Sequence, residues 1–197
     1  MKEKTILLHG YAGHDLSYWL QWLEQELVKQ DKNVAFPSYE NSKHPDMNEW
    51  LELVKPELTD NKAKYTLVTH SMGSLVALKL IESLDRVFDN VILVACPKNI
   101  VTDDDKGSLW KKVTGQEKES LKRFFEQELK FDLIESRVNQ LHFFYSDDDY
   151  AVPFEAHDYY NKRFPNAQFK TFHNYGHFNR KNDIYTLPEI LEILNYY

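Results

Sequence analysis

Residues 66–78 read Thr-Leu-Val-Thr-His-Ser-Met-Gly-Ser-Leu-Val-Ala-Leu, and this stretch decides the fold. The apolar run before Ser71 predicts a buried strand, and the residues after Gly73 predict a helix. A serine at a sharp turn between strand and helix has its hydroxyl lifted above the sheet, where it can act as a nucleophile. Serine also caps helices, so Ser71 or Ser74 could have that structural role alone.

The glycine pattern around this turn is half complete. Gly73 is present two residues after the serine, but Thr69 stands where a glycine is usual two residues before it. Small residues at such a turn let the strand and the helix approach each other closely. We therefore expect Gly73 to meet this need and the β-branched Thr69 to be the less favourable neighbour.

A serine is inert without a base to take its proton and a group to orient that base. Residues 141–145 form a β-type run that ends in the aspartates 147–149, and such carboxylates point into the loops where the sites of parallel sheets lie. Adjacent aspartates repel one another, so a surface turn or a cation site is the alternative. A further predicted strand, residues 168–172, is followed by Gly176-His177-Phe178, which places His177 on a flexible loop.

Two other histidines have structural alternatives. His173 and His177 are spaced as metal ligands on a helix would be, but Asn174 and Gly176 favour a loop, so we expect no metal site. His157 follows Pro153 on a predicted helix and is expected to be a surface residue.

The N-terminal strand, residues 5–8, is followed by His9-Gly10-Tyr11. A glycine-bearing loop at this place can direct a backbone N–H at an oxyanion, together with the N–H of the residue after the nucleophile. This assigns Tyr11 and Met72 as oxyanion donors through their backbones, with an ordinary turn at the strand end as the alternative. Neither G-x-G-x-x-G nor G-K-[ST] occurs, which excludes the dinucleotide and P-loop motifs.

Taken together, these motifs resemble the small α/β-hydrolases of the retinoblastoma-binding protein 9 type. The resemblance runs in order along nearly the whole chain, through His9-Gly10-Tyr11, Trp19, Trp22-Leu23, Trp50-Leu51, His70-Ser71-Met72-Gly73, Asp148-Asp149, Val152-Pro153-Phe154 and Gly176-His177-Phe178. It implies a catalytic triad of Ser71, Asp149 and His177, with Asp148 as the fallback for the acid. It also implies that a residue other than glycine is tolerated at position 69.

Composition indicates a compact globular protein. The 197 residues, 42% hydrophobic and 28% charged, suit a single domain over 1–197 with a sizeable core. No apolar run approaches the roughly 20 residues that span a bilayer. The first strand begins at once, so we expect no secretory signal, and the lone Cys96 indicates a reducing compartment and a cytoplasmic location. The net charge of −7 argues against nucleic acid or an anionic membrane as partner.

Alternating strands and helices predict an α/β fold, a three-layer α/β/α sandwich with a mostly parallel central sheet. Roughly 40 residues separate the strands near 91 and 141, which leaves no room for a large cap domain, so we expect an open or shallow pocket for small acyl groups. The charged stretch 102–119 departs from the family pattern, and its Trp110 is expected to anchor a long loop, with a lid or pocket wall as the alternative. The helical spacing of Trp19, Trp22 and Trp50 is typical of packing.

The expected activity is hydrolysis of small ester-type substrates through an acyl-enzyme, without a cofactor and with a small-molecule acyl substrate as the partner. A thioesterase, an amidase or an acyltransferase would use the same triad. A noncatalytic binding module on the same fold is the alternative from another class. The sequence does not specify the oligomeric state.

Overall fold

A six-stranded parallel sheet forms the centre of the molecule. The structure is a computed structural model, and it describes residues 2–13, 18–39, 41–98 and 113–195. The strands of these residues follow the order β2-β1-β3-β4-β5-β6, and every neighbouring pair is parallel. Their bounds are Glu3–Leu8 (β1), Val34–Ala35 (β2), Lys64–His70 (β3), Phe88–Val94 (β4), Val138–Ser146 (β5) and Gln168–Phe172 (β6).

Helices connect the strands, as a parallel sheet requires. Their bounds are Tyr18–Lys29 (α1), Met47–Val54 (α2), Met72–Ser83 (α3), Gly115–Phe125 (α4), Phe131–Ser136 (α5), Glu155–Asn161 (α6) and Glu189–Ile193 (α7). Short 3₁₀ turns follow at Lys55–Leu58 and Arg180–Asn182. No helix among these residues is both long and apolar enough to cross a membrane.

Two hydrophobic clusters cover the two faces of the sheet. Successive side chains of a strand point to opposite faces, so Ile6 packs with helices α2 to α6 whereas its neighbour Leu7 packs with α1 and α7. The same alternation separates Phe143 from Phe144 on β5. Buried leucine, isoleucine, valine and phenylalanine on both faces explain why the strands read as near-continuous apolar runs. The predicted three-layer α/β/α fold is therefore confirmed.

The tryptophans pack as their helical spacing predicts. Trp50 is fully buried in the cluster on the α2 to α6 side of the sheet. Trp19 is fully buried in the cluster on the α1 and α7 side, and Trp22 is half-buried against that same cluster. Residues 102–112 of the charged stretch, with Trp110 among them, lie outside the described residues. The end of that stretch is helical, since α4 begins at Gly115.

The strand order sets the place of the site. β1 lies between β2 and β3, so the chain leaves β1 toward one edge of the sheet and later continues from β3 toward the other. In open α/β sheets the crevice beyond the carboxyl ends of the strands at such a reversal is where ligands bind. The loop after β1 and the turn after β3 meet at this crevice.

Candidate active site

Ser71 occupies a strained turn between β3 and α3. Its φ of 54° and ψ of −126° lie in a region that L-amino acids rarely adopt. The Ser71 N–H donates to the carbonyl of Val94 at 2.8 Å, which ties the turn to the end of β4. Strain of this kind persists only where the surroundings hold it, and it lifts the serine side chain off the sheet.

Two glycines allow the close approach that the turn needs. A Cβ on Gly73 would lie 2.6 Å from the carbonyl oxygens of both Leu8 and His9, which belong to the backbone of β1 and its loop. A Cβ on Gly10 would lie 2.9 Å from Cβ of Ser71 and 3.1 Å from the backbone nitrogen of Met72. Both positions therefore need glycine because the first strand and its loop pass directly against the serine turn.

Thr69 links the strand to the helix. Its Oγ1 lies 2.7 Å from Oγ of Ser74 on α3 and donates to the carbonyl of Ile92 at 3.4 Å. With the Thr69 proton directed at Ile92, the Ser74 hydroxyl donates to Thr69, so both buried hydroxyls have partners. The requirement for a small residue therefore falls on position 73, and position 69 accommodates a β-branched side chain.

His177 connects Ser71 with Asp149. Its Nε2 lies 3.1 Å from Oγ of Ser71, and its Nδ1 lies 2.9 Å and 3.1 Å from the two carboxylate oxygens of Asp149. A carboxylate accepts, so Nδ1–H donates to Asp149 and the neutral ring leaves Nε2 free to accept from the serine. The serine, the acid and the histidine follow three different strands, β3, β5 and β6. The structure thus brings together three of the residues that the sequence singled out.

The Asp149 carboxylate is fixed independently of the histidine. Its Oδ1 accepts the backbone N–H of Ala151 at 2.7 Å and of Val152 at 2.9 Å, and its side chain is only 1% exposed. Asp148, the fallback acid, makes its hydrogen bonds elsewhere: Oδ1 accepts the N–H of Gly176 at 2.8 Å and the hydroxyl of Ser146 at 2.6 Å. The geometry therefore favours Asp149 as the partner of the imidazole.

Side chains hold the backbone of His177 on both sides. Nε2–H of His70 donates to the His177 carbonyl at 2.9 Å, and Oδ1 of Asn182 accepts the His177 N–H at 3.3 Å. Burial lowers the pKa of His70 well below its usual range, and the nearby His177 lowers it further. A neutral His70 is suited to this donor role. Neither residue has a role that the sequence predicts: His70 appears only as a neighbour of Ser71 in the turn, and no motif marks Asn182.

The loop after β1 is oriented by His9. The His9 Nε2 accepts the N–H of Tyr39 at 3.2 Å, so its proton is on Nδ1, which donates to the Gly10 carbonyl at 2.8 Å. In a trans peptide the carbonyl and the following N–H point in opposite directions. The N–H of Tyr11 therefore points away from the His9 ring.

Comparison with known proteins identifies the family. The model of the serine hydrolase family matches residues 5–196. The chain belongs to this family. Similar proteins include YdeN of Bacillus subtilis (strain 168), which is named as a hydrolase and is 22% identical over 200 residues, covering 100% of this chain and 97% of YdeN.

Solved structures with the same fold include enzymes. The crystal structure of the B. subtilis ydeN gene product superposes with a TM-score of 0.79 at 21% identity, covering 99% of this chain and 97% of that one. A carboxylesterase of Nitrososphaera gargenis gives a TM-score of 0.69 at 13% identity, with coverage of 98% and 89%. Est1E of Butyrivibrio proteoclasticus, solved with bound ferulic acid, gives 0.66 at 14% identity, with coverage of 98% and 89%. The chain is accordingly a hydrolytic enzyme of the serine hydrolase family.

The remaining candidate groups of this serine hydrolase lie apart from Ser71, His177 and Asp149 or are unreactive. His173 pairs with the exposed Asp147, and the ring of His157 is half-buried and stacked on Phe154. Burial raises the pKa of the Cys96 thiol to about 12, so the thiolate needed of a nucleophile does not form near neutral pH. Within the described ranges, no group of three or more histidine, cysteine or acidic side chains is arranged to hold a metal ion.

A cavity of about 440 Å³ lies on the α2 to α6 side of the sheet. Phe124, Phe131 and Tyr160 supply aromatic walls, and Lys98 adds a cationic group. Leu75 also lines it, and this residue is one helical turn along α3 from Ser71. Its volume is within the range of small-molecule sites.

Proposed function

We propose that this serine hydrolase cleaves small ester-type substrates with Ser71 as nucleophile, His177 as general base and Asp149 as the group that orients and stabilises the base. The observation that carries the proposal is the unbroken chain of hydrogen bonds from Asp149 through His177 to Ser71. The strained backbone of Ser71 adds support because such strain is typical of a serine nucleophile at a turn between strand and helix. We also propose that, within the serine hydrolase family, the protein is of the retinoblastoma-binding protein 9 type.

In the first half of the reaction, Oγ of Ser71 forms a bond to the carbonyl carbon of the ester while its proton passes to Nε2 of His177. The Asp149 carboxylate, which accepts from Nδ1, stabilises the resulting imidazolium. The tetrahedral intermediate then collapses: the bond from carbon to the leaving oxygen breaks, and the alcohol departs with the proton from Nε2. The acyl group stays on Ser71.

The second half repeats these steps with water. Nε2 of His177 takes a proton from a water molecule, whose oxygen attacks the acyl carbon. The bond from carbon to Oγ then breaks, and Ser71 recovers its proton from the imidazolium. The product is the free acid, and the enzyme returns to its starting protonation state.

The backbone N–H groups of Tyr11 and Met72 are proposed to stabilise the oxyanion. Met72 is the first residue of α3, and the backbone N–H at the start of a helix has no acceptor within that helix. Support for Tyr11 comes from His9, which holds the Gly10 carbonyl and so turns the next N–H away from its own ring. Each oxyanion donor is worth on the order of 3 kcal/mol in the transition state.

The aromatic cavity beside α3 is proposed to accept the acyl group. Its volume of about 440 Å³ suits a small acyl chain, and one of its lining residues, Leu75, is one helical turn along α3 from Ser71. Rates measured on aryl esters of increasing acyl length should rise and then fall as the chain outgrows the cavity. A rate that still rises with long acyl chains would exclude it as the limiting site.

The direct test is a fluorophosphonate probe read by intact mass. We expect one adduct on the wild-type protein and none on Ser71→Ala, because only a serine with an adjacent base is activated. The matched control is Ser83→Ala on the same helix, whose hydroxyl donates only to the carbonyl of Leu80. It should label like the wild type.

Other outcomes would change the assignment. An adduct that persists on Ser71→Ala would place the nucleophile elsewhere, and no adduct on well-folded wild type would favour a noncatalytic binding module. If labelling is lost as expected, rates on matched aryl esters, thioesters and anilides then separate an esterase from a thioesterase or an amidase.

A further inference from the structure

The aspartates at the end of β5 bind three points of the loop that carries His177. This loop, residues 173–177, is called the histidine loop below. Asp147 pairs with the ring of His173, Asp148 accepts the backbone N–H of Gly176, and Asp149 accepts from the His177 ring. Asp148 contacts the backbone directly before the base, at Gly176, whereas Asp147 contacts the start of the loop, at the ring of His173 and the backbone of Asn174. The function of Asp148 is therefore distinct from that of either neighbour.

Asp148 and Ser146 accept hydrogen bonds from two consecutive backbone N–H groups of the histidine loop. Oδ1 of Asp148 accepts from Gly176 at 2.8 Å, and Oγ of Ser146 accepts from Tyr175 at 3.0 Å. The Ser146 hydroxyl in turn donates to the same Asp148 oxygen at 2.6 Å. These bonds fix the peptide units 174–175 and 175–176, and Asn182 accepts the N–H of the next unit, at the point where the chain turns the imidazole toward Ser71.

The backbone of the histidine loop requires such support. Asn174 and Gly176 both have positive φ, 63° and 50°, and Phe178 directly after the base has 47°. Residues other than glycine adopt this region at an energetic cost and stay there only when their surroundings impose it. Gly176 is also packed against Asn182, which leaves no space for a side chain at this position. The loop is therefore held by its contacts and not by any regular secondary structure.

We propose that Asp148 is a positioning residue that holds the histidine loop so that His177 faces Ser71. It acts as a hydrogen-bond acceptor for the Gly176 N–H, and it neither touches the reacting atoms nor serves as the acid of the triad. The inference rests on the proposed function of Ser71, Asp149 and His177.

An acceptor role and an acid role make opposite predictions for asparagine. In Asp148→Asn the amide oxygen can remain at the Oδ1 position and keep both bonds, so kcat should stay within about fivefold of wild type, as expected for loss of an exposed charge. In Asp148→Ala the Gly176 N–H loses its acceptor and the base shifts, so kcat should fall by roughly 10- to 100-fold with little change in KM. A kcat that is near wild type in Asp148→Asn but low in Asp148→Ala would show that the hydrogen-bond acceptor matters and the negative charge does not.

The experiment measures kcat and KM on an aryl ester for wild type, Asp148→Ala and Asp148→Asn. It also records the ¹H NMR signal of the proton on His177 Nδ1, which a hydrogen bond to a carboxylate shifts far downfield. Asp149→Asn serves as the reference that removes this signal. We expect the signal to persist in Asp148→Asn and to be lost or shifted in Asp148→Ala. If circular dichroism shows that Asp148→Ala does not fold, Asp148→Ser replaces it, because its side chain is too short to reach Gly176.

The outcomes that would overturn the proposed role of Asp148 differ from one variant to the next. If alanine or serine at position 148 leaves kcat and the signal as in the wild type, Asp148 positions nothing. If asparagine is as damaging as alanine, the charge matters and the acceptor role is wrong. A wild-type protein without turnover or probe labelling would overturn the proposed function alone, and the Nδ1 signal across the same variants would still decide whether Asp148 holds the loop.

Discussion

The substitution Asp149→Asn tests how the imidazole is oriented. Oδ1 of Asp149 accepts two backbone N–H groups, from Ala151 and Val152, so the amide oxygen of an asparagine must remain at that position. The amide NH₂ then takes the place of Oδ2, 2.9 Å from Nδ1 of His177. An NH₂ group can only donate, and the oxygen at the Oδ1 position, 3.1 Å from Nδ1, already accepts two backbone N–H groups. Nδ1 therefore becomes the acceptor, and the ring proton moves to Nε2, facing Ser71.

A histidine with its proton on Nε2 cannot take the proton of the serine. Loss of the correct tautomer in a triad with intact geometry lowers kcat by about 10⁴-fold, which corresponds to about 5.4 kcal/mol of transition-state stabilisation. The fold should be retained, since the two backbone bonds that anchor position 149 survive the substitution.

The measurement is kcat on an aryl ester, with melting temperature as the check on folding. Asp147→Asn is the matched control because it removes the same charge from the same loop but faces His173. It should stay within about fivefold of wild type. If Asp149→Asn keeps more than about a tenth of the wild-type kcat, the orientation argument fails and another group must be the partner of the base.

Two further predictions concern stability. In Gly73→Ala the new methyl would lie 2.6 Å from two backbone oxygens, so the melting temperature should fall by roughly 4 to 10 °C and probe labelling should be lost. Gly115→Ala meets no atom within 4 Å and has only the strain of its φ of 55° to bear, so its melting temperature should fall less and its labelling should persist; loss of labelling in both variants would refute the packing argument. Burial lowers the pKa of His70, so the native protein binds fewer protons than the unfolded chain below pH 6.5, and this contribution to stability is present above that pH and declines below it. Between pH 6.5 and 5.5, urea unfolding should lose about 1 kcal/mol more in wild type than in His70→Gln, and identical pH profiles would contradict this.

The parts of the site that sequence could predict are those that follow directly from strand ends. Ser71, Asp149 and His177 each come just after an apolar run, and the ends of parallel strands meet at one edge of the sheet. Residue type and position along the chain were therefore sufficient to single out Ser71, His177 and the aspartates 147–149, whereas the choice of Asp149 among them came from the family resemblance. The alternation of strands and helices likewise predicted the layers, because parallel pairing needs crossover connections.

What sequence could not predict are contacts between residues far apart in the chain. His70 and Asn182 hold the backbone of His177 from opposite sides, and neither contact follows from a periodic pattern or a local motif. Thr69 was expected to be an unfavourable neighbour of the serine, but its hydroxyl pairs with Ser74 across the turn. Such bonds form only where the fold brings distant side chains together, and no local sequence pattern predicts which of them will meet.

Helix ends were also predicted less closely than helix positions. The spacing of apolar residues over 154–164 and 187–194 predicts a helix along each of these ranges, but the helices of the structure are shorter, at Glu155–Asn161 and Glu189–Ile193. The apolar residues beyond these ends, such as Phe164 and Leu187, are buried without being helical. An apolar pattern reports burial, and burial continues past the last helical turn.

The proposed base, His177, lies on the loop that follows β6, the strand at one edge of the sheet. β6 pairs only with β5, most of its side chains are not buried, and the histidine loop follows it directly, whereas β3 before Ser71 is paired on both sides. Edge elements open locally at a lower free energy than central strands. We therefore expect mild heat or denaturant to separate His177 from Ser71 while the rest of the sheet persists, so that activity is lost before the protein unfolds and turnover measures the integrity of this edge of the sheet.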